Sequence, residues 1–233
     1  MINYKEYLSK KLPYLARIYK NYRLYRLSKK NTAEVFTDIN KKNTWKSDES
    51  LSGPGSTLNN TVNIRNKLPE IVRELQINTF LDLPCGDYNW MKTVNLPVGK
   101  YIGGDIVKSL VENNNLKYSN DFVSFAVLNL IEDNLPEADI ILCRDCIVHF
   151  AFKDVAKAFE NLHRSRIKYI LTTTFPHVLI NENIITGRWR ALNLQKPPFN
   201  MPNPIMLIEE NNRTDVDRKC LGVWLTKDLT IKL

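Results

Sequence analysis

The run Phe80-Leu81-Asp82-Leu83-Pro84-Cys85-Gly86-Asp87-Tyr88-Asn89-Trp90 does most to limit what this chain can fold into. An apolar strand breaks there into a tight turn built around a glycine. A second strand-like run, Tyr101-Ile102-Gly103-Gly104-Asp105, ends on an acid 23 residues beyond Asp82. A strand, a Gly turn and an acid roughly 20 residues on form a nucleoside-binding pattern. The turn brings backbone N–H groups close to a ligand, and the acid accepts hydrogen bonds from ribose hydroxyls.

The pattern repeats as an alternation. Residues 79–83, 99–105, 122–128, 138–143 and 168–174 read as strands. Residues 61–74, 107–113 and 153–164 read as helices, the last with Val155, Ala156, Phe159 and Leu162 on one face. Strands alternating with helices predict an α/β, Rossmann-like doubly wound sheet. Two further strand runs, 204–209 and 220–226, are joined by the polar turn Asn211-Asn212-Arg213, which leaves no room for a long helix. They predict an antiparallel C-terminal hairpin, giving a seven-stranded, mostly parallel sheet. Residues 60–233 are expected to form this domain. Residues 1–59 are expected to form a basic helical arm and a polar, turn-rich cap loop that includes Trp45.

The net charge of +8 lies in the arm. Residues 1–30 hold Lys5, Lys10, Lys11, Arg17, Lys20, Arg23, Arg26, Lys29 and Lys30 against the single acid Glu6, and the rest of the chain is balanced. Tyr4, Tyr7, Leu8, Tyr14, Leu15, Ile18, Tyr19, Tyr22 and Tyr25 are interleaved with these bases, and Pro13 separates two helical pieces. A basic amphipathic helix lies on an anionic membrane or docks a partner, such as a glycosyltransferase. The alternative is a cap that packs its Tyr/Leu stripe on the body. A neutral body disfavours nucleic acid, because tracking phosphates needs base near the cleft.

Residues 1–12 lack a long apolar stretch, so no secretion signal is expected. Cys85, Cys143, Cys146 and Cys220 then suit a reducing, cytoplasmic setting, at most peripheral to the inner face of a membrane. Cys143 and Cys146 have CxxC spacing without a second pair, so strand-end packing is expected and no metal site is assigned.

The order of motifs resembles the class I S-adenosylmethionine-dependent methyltransferases from about Leu68 onward. That family's first motif is an acid followed by three alternate glycines. Here it stands as Asp82-x-Pro84-x-Gly86-x-Tyr88, with Asp82 and the middle glycine matching. Asp105 matches the ribose-binding acid of the second motif. Asn129 stands at the adenine contact after the third strand, where an amide both donates and accepts. The resemblance implies S-adenosyl-L-methionine as cofactor, with Asp82, Pro84, Cys85, Gly86, Trp90, Asp105, Ile106, Asn129, Leu130 and Arg144 around it. Pro84 has no N–H to donate, so part of the cofactor's carboxylate binding must come from elsewhere, such as residues 52–56.

A narrower resemblance is carried by Ser52-Gly53-Pro54-Gly55-Ser56, Asp82-x-Pro84-Cys85-Gly86-Asp87-x-x-Trp90-Met91, Arg144-Asp145-x-x-Val148-His149, Thr186-Gly187-x-Trp189-Arg190-x-x-Asn193-Leu194 and Pro198-Phe199-x-x-Pro202-x-Pro204. In that order they are similar to a methyltransferase branch met in bacterial and viral surface-polysaccharide synthesis. It implies O-methylation of a sugar hydroxyl on a glycan or glycolipid precursor. RNA or a small-metabolite acceptor, or a non-catalytic cofactor-binding module, are the alternatives.

An alcohol is a poor nucleophile until its proton begins to leave, so this chemistry needs a base. His149 and Asp145 are i, i+4. On a helical turn they would share a face, with the carboxylate orienting the imidazole. His149 is the candidate base and Asp145 its partner; a core histidine satisfied by a backbone carbonyl is the other reading. His177 is a second candidate on the acceptor side. Trp189 offers a flat apolar face for a sugar ring, and Arg190 and Asn193 offer groups for its hydroxyls. Ser52 and Ser56 are expected to close over cofactor or acceptor. Each of these has a plain structural alternative, a packed loop or a surface turn.

Overall fold

The computed structural model describes residues 13–210 and 218–232. Its centre is a seven-stranded sheet in the order β3-β2-β1-β4-β5-β7-β6. The strands are β1 (Thr79–Asp82), β2 (Lys100–Asp105), β3 (Val123–Val127), β4 (Ile140–Cys143), β5 (Tyr169–Thr174), β6 (Met206–Glu209) and β7 (Cys220–Leu225). β1 to β5 pair in parallel, and β7 lies antiparallel between β5 and β6. The expected sheet and its C-terminal hairpin are therefore present. The polar turn at 211–213 lies outside the described residues, as do Tyr4, Tyr7 and Leu8 of the arm.

Parallel strands need cover on both faces, and the sequence supplies it. Along β4, Ile140 and Leu142 join the core on one face while Ile141 and Cys143 join the core on the other. Phe80 and Leu81 divide in the same way on β1. Ile64, Leu68, Ile71 and Val72 of the helix Val62–Glu74 and Val111 of the helix Lys108–Tyr118 cover the first face. Val155, Ala158, Phe159 and Leu162 of the helix Phe152–Ser165 cover the second.

Among the described residues, two further helices precede these. We number all five in chain order: α1 (Pro13–Ser28), α2 (Thr32–Lys41), α3 (Val62–Glu74), α4 (Lys108–Tyr118) and α5 (Phe152–Ser165). α2 adds a second helix where a polar, turn-rich loop was expected to follow the basic arm. Asn31 caps it: its side chain accepts from the Glu34 N–H, and the Glu34 carboxylate accepts from the Asn31 N–H. This reciprocal box satisfies two N-terminal donors that the helix itself cannot. Val35 and Ile39 are buried one turn apart beneath it.

α4 runs to Tyr118 rather than stopping at Asn113. Tertiary bonds override the weak helix propensity of Asn113, Asn114 and Asn115. Asn114 Nδ2 donates to the Gly86 carbonyl at 2.8 Å and Asn115 Nδ2 to the Phe125 carbonyl at 2.9 Å. No helix among the described residues is long and apolar enough to cross a membrane.

The antiparallel end is anchored by Trp224. Its ring is 1% exposed, and its Nε1 donates to the Pro202 carbonyl at 2.9 Å. Trp224→Ala should lower unfolding stability in urea by about 3–5 kcal/mol, the usual cost of emptying a buried aromatic site. Trp224→Phe should cost less than the alanine variant.

Candidate functional site

The carboxyl ends of the parallel strands place their loops on one edge of the sheet, where doubly wound folds bind ligands. A cavity there is lined by all ten residues expected around the cofactor: Asp82, Pro84, Cys85, Gly86, Trp90, Asp105, Ile106, Asn129, Leu130 and Arg144. Ser52, Ser56, Asp145 and His149 also line it. Thr32, Phe36 and Asn40 of α2 and Trp45 complete the wall, none of which the sequence reading placed here in the cofactor's surroundings.

The glycine turn does something other than expected. Its N–H groups are already engaged within the chain. Cys85 donates to the Gly104 carbonyl, Gly86 to Asp105 Oδ2 at 3.0 Å, and Asp87 to Ser52 Oγ at 3.3 Å. Gly86 has φ +56°, and a Cβ there would lie 1.9 Å from Ser52 Oγ. The missing side chain therefore makes room for the loop that carries Ser52. Asp87 then fastens that loop: its carboxylate accepts from Ser50 Oγ at 2.9 Å and from the Leu51 N–H at 2.8 Å. Asn89 Nδ2 reaches Glu49 and the Ser56 carbonyl. Ser52 and Ser56 thus belong to a roof held on the first-strand turn, and are not on a free surface turn.

Two buried acids stand below the roof. Asp82 accepts from the Tyr101 hydroxyl at 2.6 Å. Burial pushes its carboxyl up to about 7, against the lowering effect of that hydrogen bond and of Arg144. Asp105 is pushed up to about 6 by burial, opposed by hydrogen bonds from Val107, Gly86 and Ile106. Leu110, Leu128 and Leu130 line the same region. A carboxylate at the end of β2, an amide after β3 and an apolar slot between them form a donor set that fits an adenosine. The residues present therefore fit the implied cofactor.

Arg144 is held under the roof by a buried ion network. Its Nε and Nη2 meet Glu210 Oε2 at 3.1 and 2.7 Å, and Nη2 also donates to the Gly55 carbonyl at 2.7 Å. Lys219 bridges Glu210 at 3.0 Å and Asp145 at 2.5 Å. The guanidinium also lies 5.5 Å from the Trp90 ring. Two cations offset two carboxylates, as burial of such groups requires. Glu210 and Lys219 are far from the motifs, and nothing in their own sequence context marks them.

Asp145 and His149 do not form the expected helical pair. β4 ends at Cys143, Asp145 takes φ +51°, and a 3-10 turn covers Ile147–His149. Burial alone would raise the Asp145 carboxyl, but Lys219 and Arg144 overcome it and hold the group well below the usual carboxylate range. The partner of His149 is a carbonyl: its Nδ1 lies 3.0 Å from Arg188 O. A carbonyl only accepts, so Nδ1 carries the proton and Nε2 keeps a lone pair. Burial lowers the imidazole pKa, against the opposing pull of Asp145. The ring is neutral at pH 7, packed between Trp45 at 5.5 Å and Phe36 at 6.3 Å.

His149 and Asp145 also border a second cavity, with Trp45, Ser52, Gly53, Pro54, Gly55, Phe175, Trp189 and Lys219. Trp189 is 57% exposed and meets Phe175 edge-on at 5.9 Å. Three other residues expected on the acceptor side have structural positions. Arg190 donates to the Glu182 and Ile147 carbonyls, and Asn193 Nδ2 donates to the Pro176 and Val178 carbonyls. The bonds to Glu182, Pro176 and Val178 brace the loop after β5 from within, and the bond to Ile147 ties it to the turn after β4. His177 packs edge-on to Phe175 and borders neither cavity.

No protein-family model matches the sequence, and no curated protein matches it. Solved structures do resemble the fold. The N-methyltransferase NodS from Bradyrhizobium japonicum WM9, in complex with S-adenosyl-L-homocysteine, superposes with a TM-score of 0.58 at 8% identity, covering 84% of this chain and 98% of that one. A SAM-dependent methyltransferase from Leishmania major also gives 0.58, at 11% identity over 81% of this chain and 82% of that one. Magnesium protoporphyrin IX methyltransferase from Synechocystis PCC 6803, with bound SAM, gives 0.52 at 10% identity, over 84% and 97%. At such identities the likeness is one of fold: the chain has the Rossmann-like fold of class I S-adenosylmethionine-dependent methyltransferases.

Asp87→Ala should speed amide exchange across residues 50–58 by more than tenfold and leave the strands unchanged. Equal exchange in the two proteins would remove Asp87 as the fastener. A second outcome concerns pH. The Asp82 carboxyl keeps its proton in the fold far above the ordinary 3.8. Its contribution to stability is therefore full below that value and is lost as pH rises toward 7. Chemical denaturation should show the stability of the wild type relative to Asp82→Asn falling across that window.

Proposed function

We propose that the chain is an S-adenosylmethionine-dependent O-methyltransferase acting on a sugar hydroxyl of a glycan or glycolipid precursor. The observation that carries this reading is His149. It borders both cavities, its Nδ1–H is committed to the Arg188 carbonyl, and its Nε2 lone pair is left for a proton. Asp105, Asn129 and the apolar slot would hold the adenosine, and Arg144 with the 52–56 roof would face the amino-acid end. S-adenosylmethionine, when bound, supplies an electrophilic methyl group. The chain itself aligns the acceptor and takes up its hydroxyl proton at His149 Nε2.

The second cavity favours a sugar because Trp45, Phe175 and Trp189 offer apolar faces beside ionised groups. The C–H faces of a pyranose suit the rings, and its hydroxyls suit Asp145 and Lys219. Asp145 stays ionised and helps to stabilise the imidazolium that proton uptake creates, without a direct bond to it.

The test is transfer of labelled methyl from S-adenosylmethionine to fractionated glycans, glycolipids, RNA and small metabolites. Label in the glycan or glycolipid fraction supports the reading; label confined to RNA or metabolites reassigns the acceptor. His149→Ala should lower kcat by about 10²- to 10⁴-fold, the usual contribution of a general base. Binding of S-adenosylhomocysteine, followed by calorimetry, should be nearly unchanged in that variant and weakened in Asp105→Ala. Because burial lowers the imidazole pKa, the wild-type rate should fall on acidification with a midpoint below 6.5. A midpoint above that value would take the base role from His149.

A further inference from the structure

Among the described residues, nothing covers an apolar stripe on α1. Tyr14, Leu15, Ile18, Tyr19, Tyr22 and Tyr25 are between 47% and 74% exposed. At 3.6 residues per turn they span an arc of about 140° on one face. Leu24 and Leu27, centred on the opposite face, are half-buried instead. Leu27 packs toward Gly187 and the α2 layer. The helix therefore sits on the molecule by one edge and presents an aromatic edge outward.

The charge around this stripe has one sign. No acid occurs between Tyr7 and Ala33 in the sequence. Arg23, Arg26 and Lys29 lie against the rings of Tyr19, Tyr22 and Tyr25, each four residues earlier, at 6.0, 6.0 and 5.4 Å. Beside the helix, Arg23, Arg26, Lys30, Lys42 and Arg188 line a groove with Tyr19 and Tyr22 at its edge; among the described residues Asp38 is its one acid, and Asp38 is bonded to Lys30 and Lys42. Tyrosine rings with cations alongside suit the headgroup level of a bilayer, where ring bodies meet acyl chains and cations meet phosphates.

We propose that α1 is a docking surface for an anionic lipid bilayer. The uniform positive charge argues for this occupant over a second copy of the chain, since two such helices face to face would repel. The proposal stands apart from the methyl-transfer reading, because vesicle binding is measured without cofactor or acceptor.

The experiment is cosedimentation of the full chain with sucrose-loaded vesicles. One set is phosphatidylcholine alone, and the other is phosphatidylcholine and phosphatidylglycerol in a two-to-one mixture. Binding to the anionic vesicles should be at least about tenfold stronger and should weaken as salt shortens the Debye length. Arg17→Glu with Arg23→Glu and Arg26→Glu should abolish the preference. Tyr19→Ser with Tyr22→Ser should lower binding to the anionic vesicles about tenfold at the same charge. Both variants should keep the wild-type melting temperature. Equal binding to the two vesicle types, or none, overturns the proposal from the wild type alone. Self-association that the tyrosine variant dissolves would give the stripe to a second copy and overturn it as well.

Discussion

The carboxylate of Asp87 joins the two parts of this molecule that make the cavity. It follows directly on the left-handed Gly86 and accepts hydrogen bonds from three residues of a loop more than 30 positions earlier in the chain. Without it the roof over Asp82 and Asp105 would rest on weaker contacts. The turn is usually thought of as a place where a ligand approaches the backbone. Here its backbone donors are spent within the chain, and its glycine accommodates a serine. The two acids, Asn129, the apolar slot and Arg144 then line the cavity with side chains.

The Arg144–Glu210–Lys219–Asp145 network closes the opposite side. Such buried ions rarely stabilise a fold more than apolar residues of the same size would. They do fix geometry. Asp145 is kept ionised beside a neutral imidazole, and Arg144 is kept from swinging, because Glu210 holds two of its nitrogens. The polarity of the site is thus set before any ligand arrives.

Much of the fold was legible in the sequence. Strand runs with alternate residues for two buried faces, the Gly turn and the acid at Asp105 together specify the parallel sheet and its ligand edge. The ten residues expected around the cofactor meet in one cavity because they sit near the carboxyl ends of adjacent strands, which follows from topology. What escaped was tertiary. The α2 helix was signalled by Asn31 and Glu34, but its short apolar face was hidden among polar neighbours. The i, i+4 spacing of Asp145 and His149 suggested a helical pair, yet the backbone turns left-handed at Asp145 and the imidazole finds a carbonyl instead. Arg190 and Asn193 were expected toward the acceptor, and their bonds to backbone carbonyls could not be read from sequence, because polar side chains in a Pro-rich loop serve either use equally well. Glu210 and Lys219 reach the site only through the pairing of β6 and β7.

Gly187 ties the N-terminal helices to the turn that carries His149. Its φ is +93°, and a Cβ would lie 2.4 Å from Val35 Cγ1 of α2. Its N–H donates to the His149 carbonyl, and the carbonyl of the next residue, Arg188, holds His149 Nδ1. One short strip of backbone therefore has the helical layer pressed against it on one side and the imidazole on the other. The placing of the His149 ring is then mechanical as well as electrostatic: the carbonyl that meets its Nδ1 belongs to backbone packed under α2.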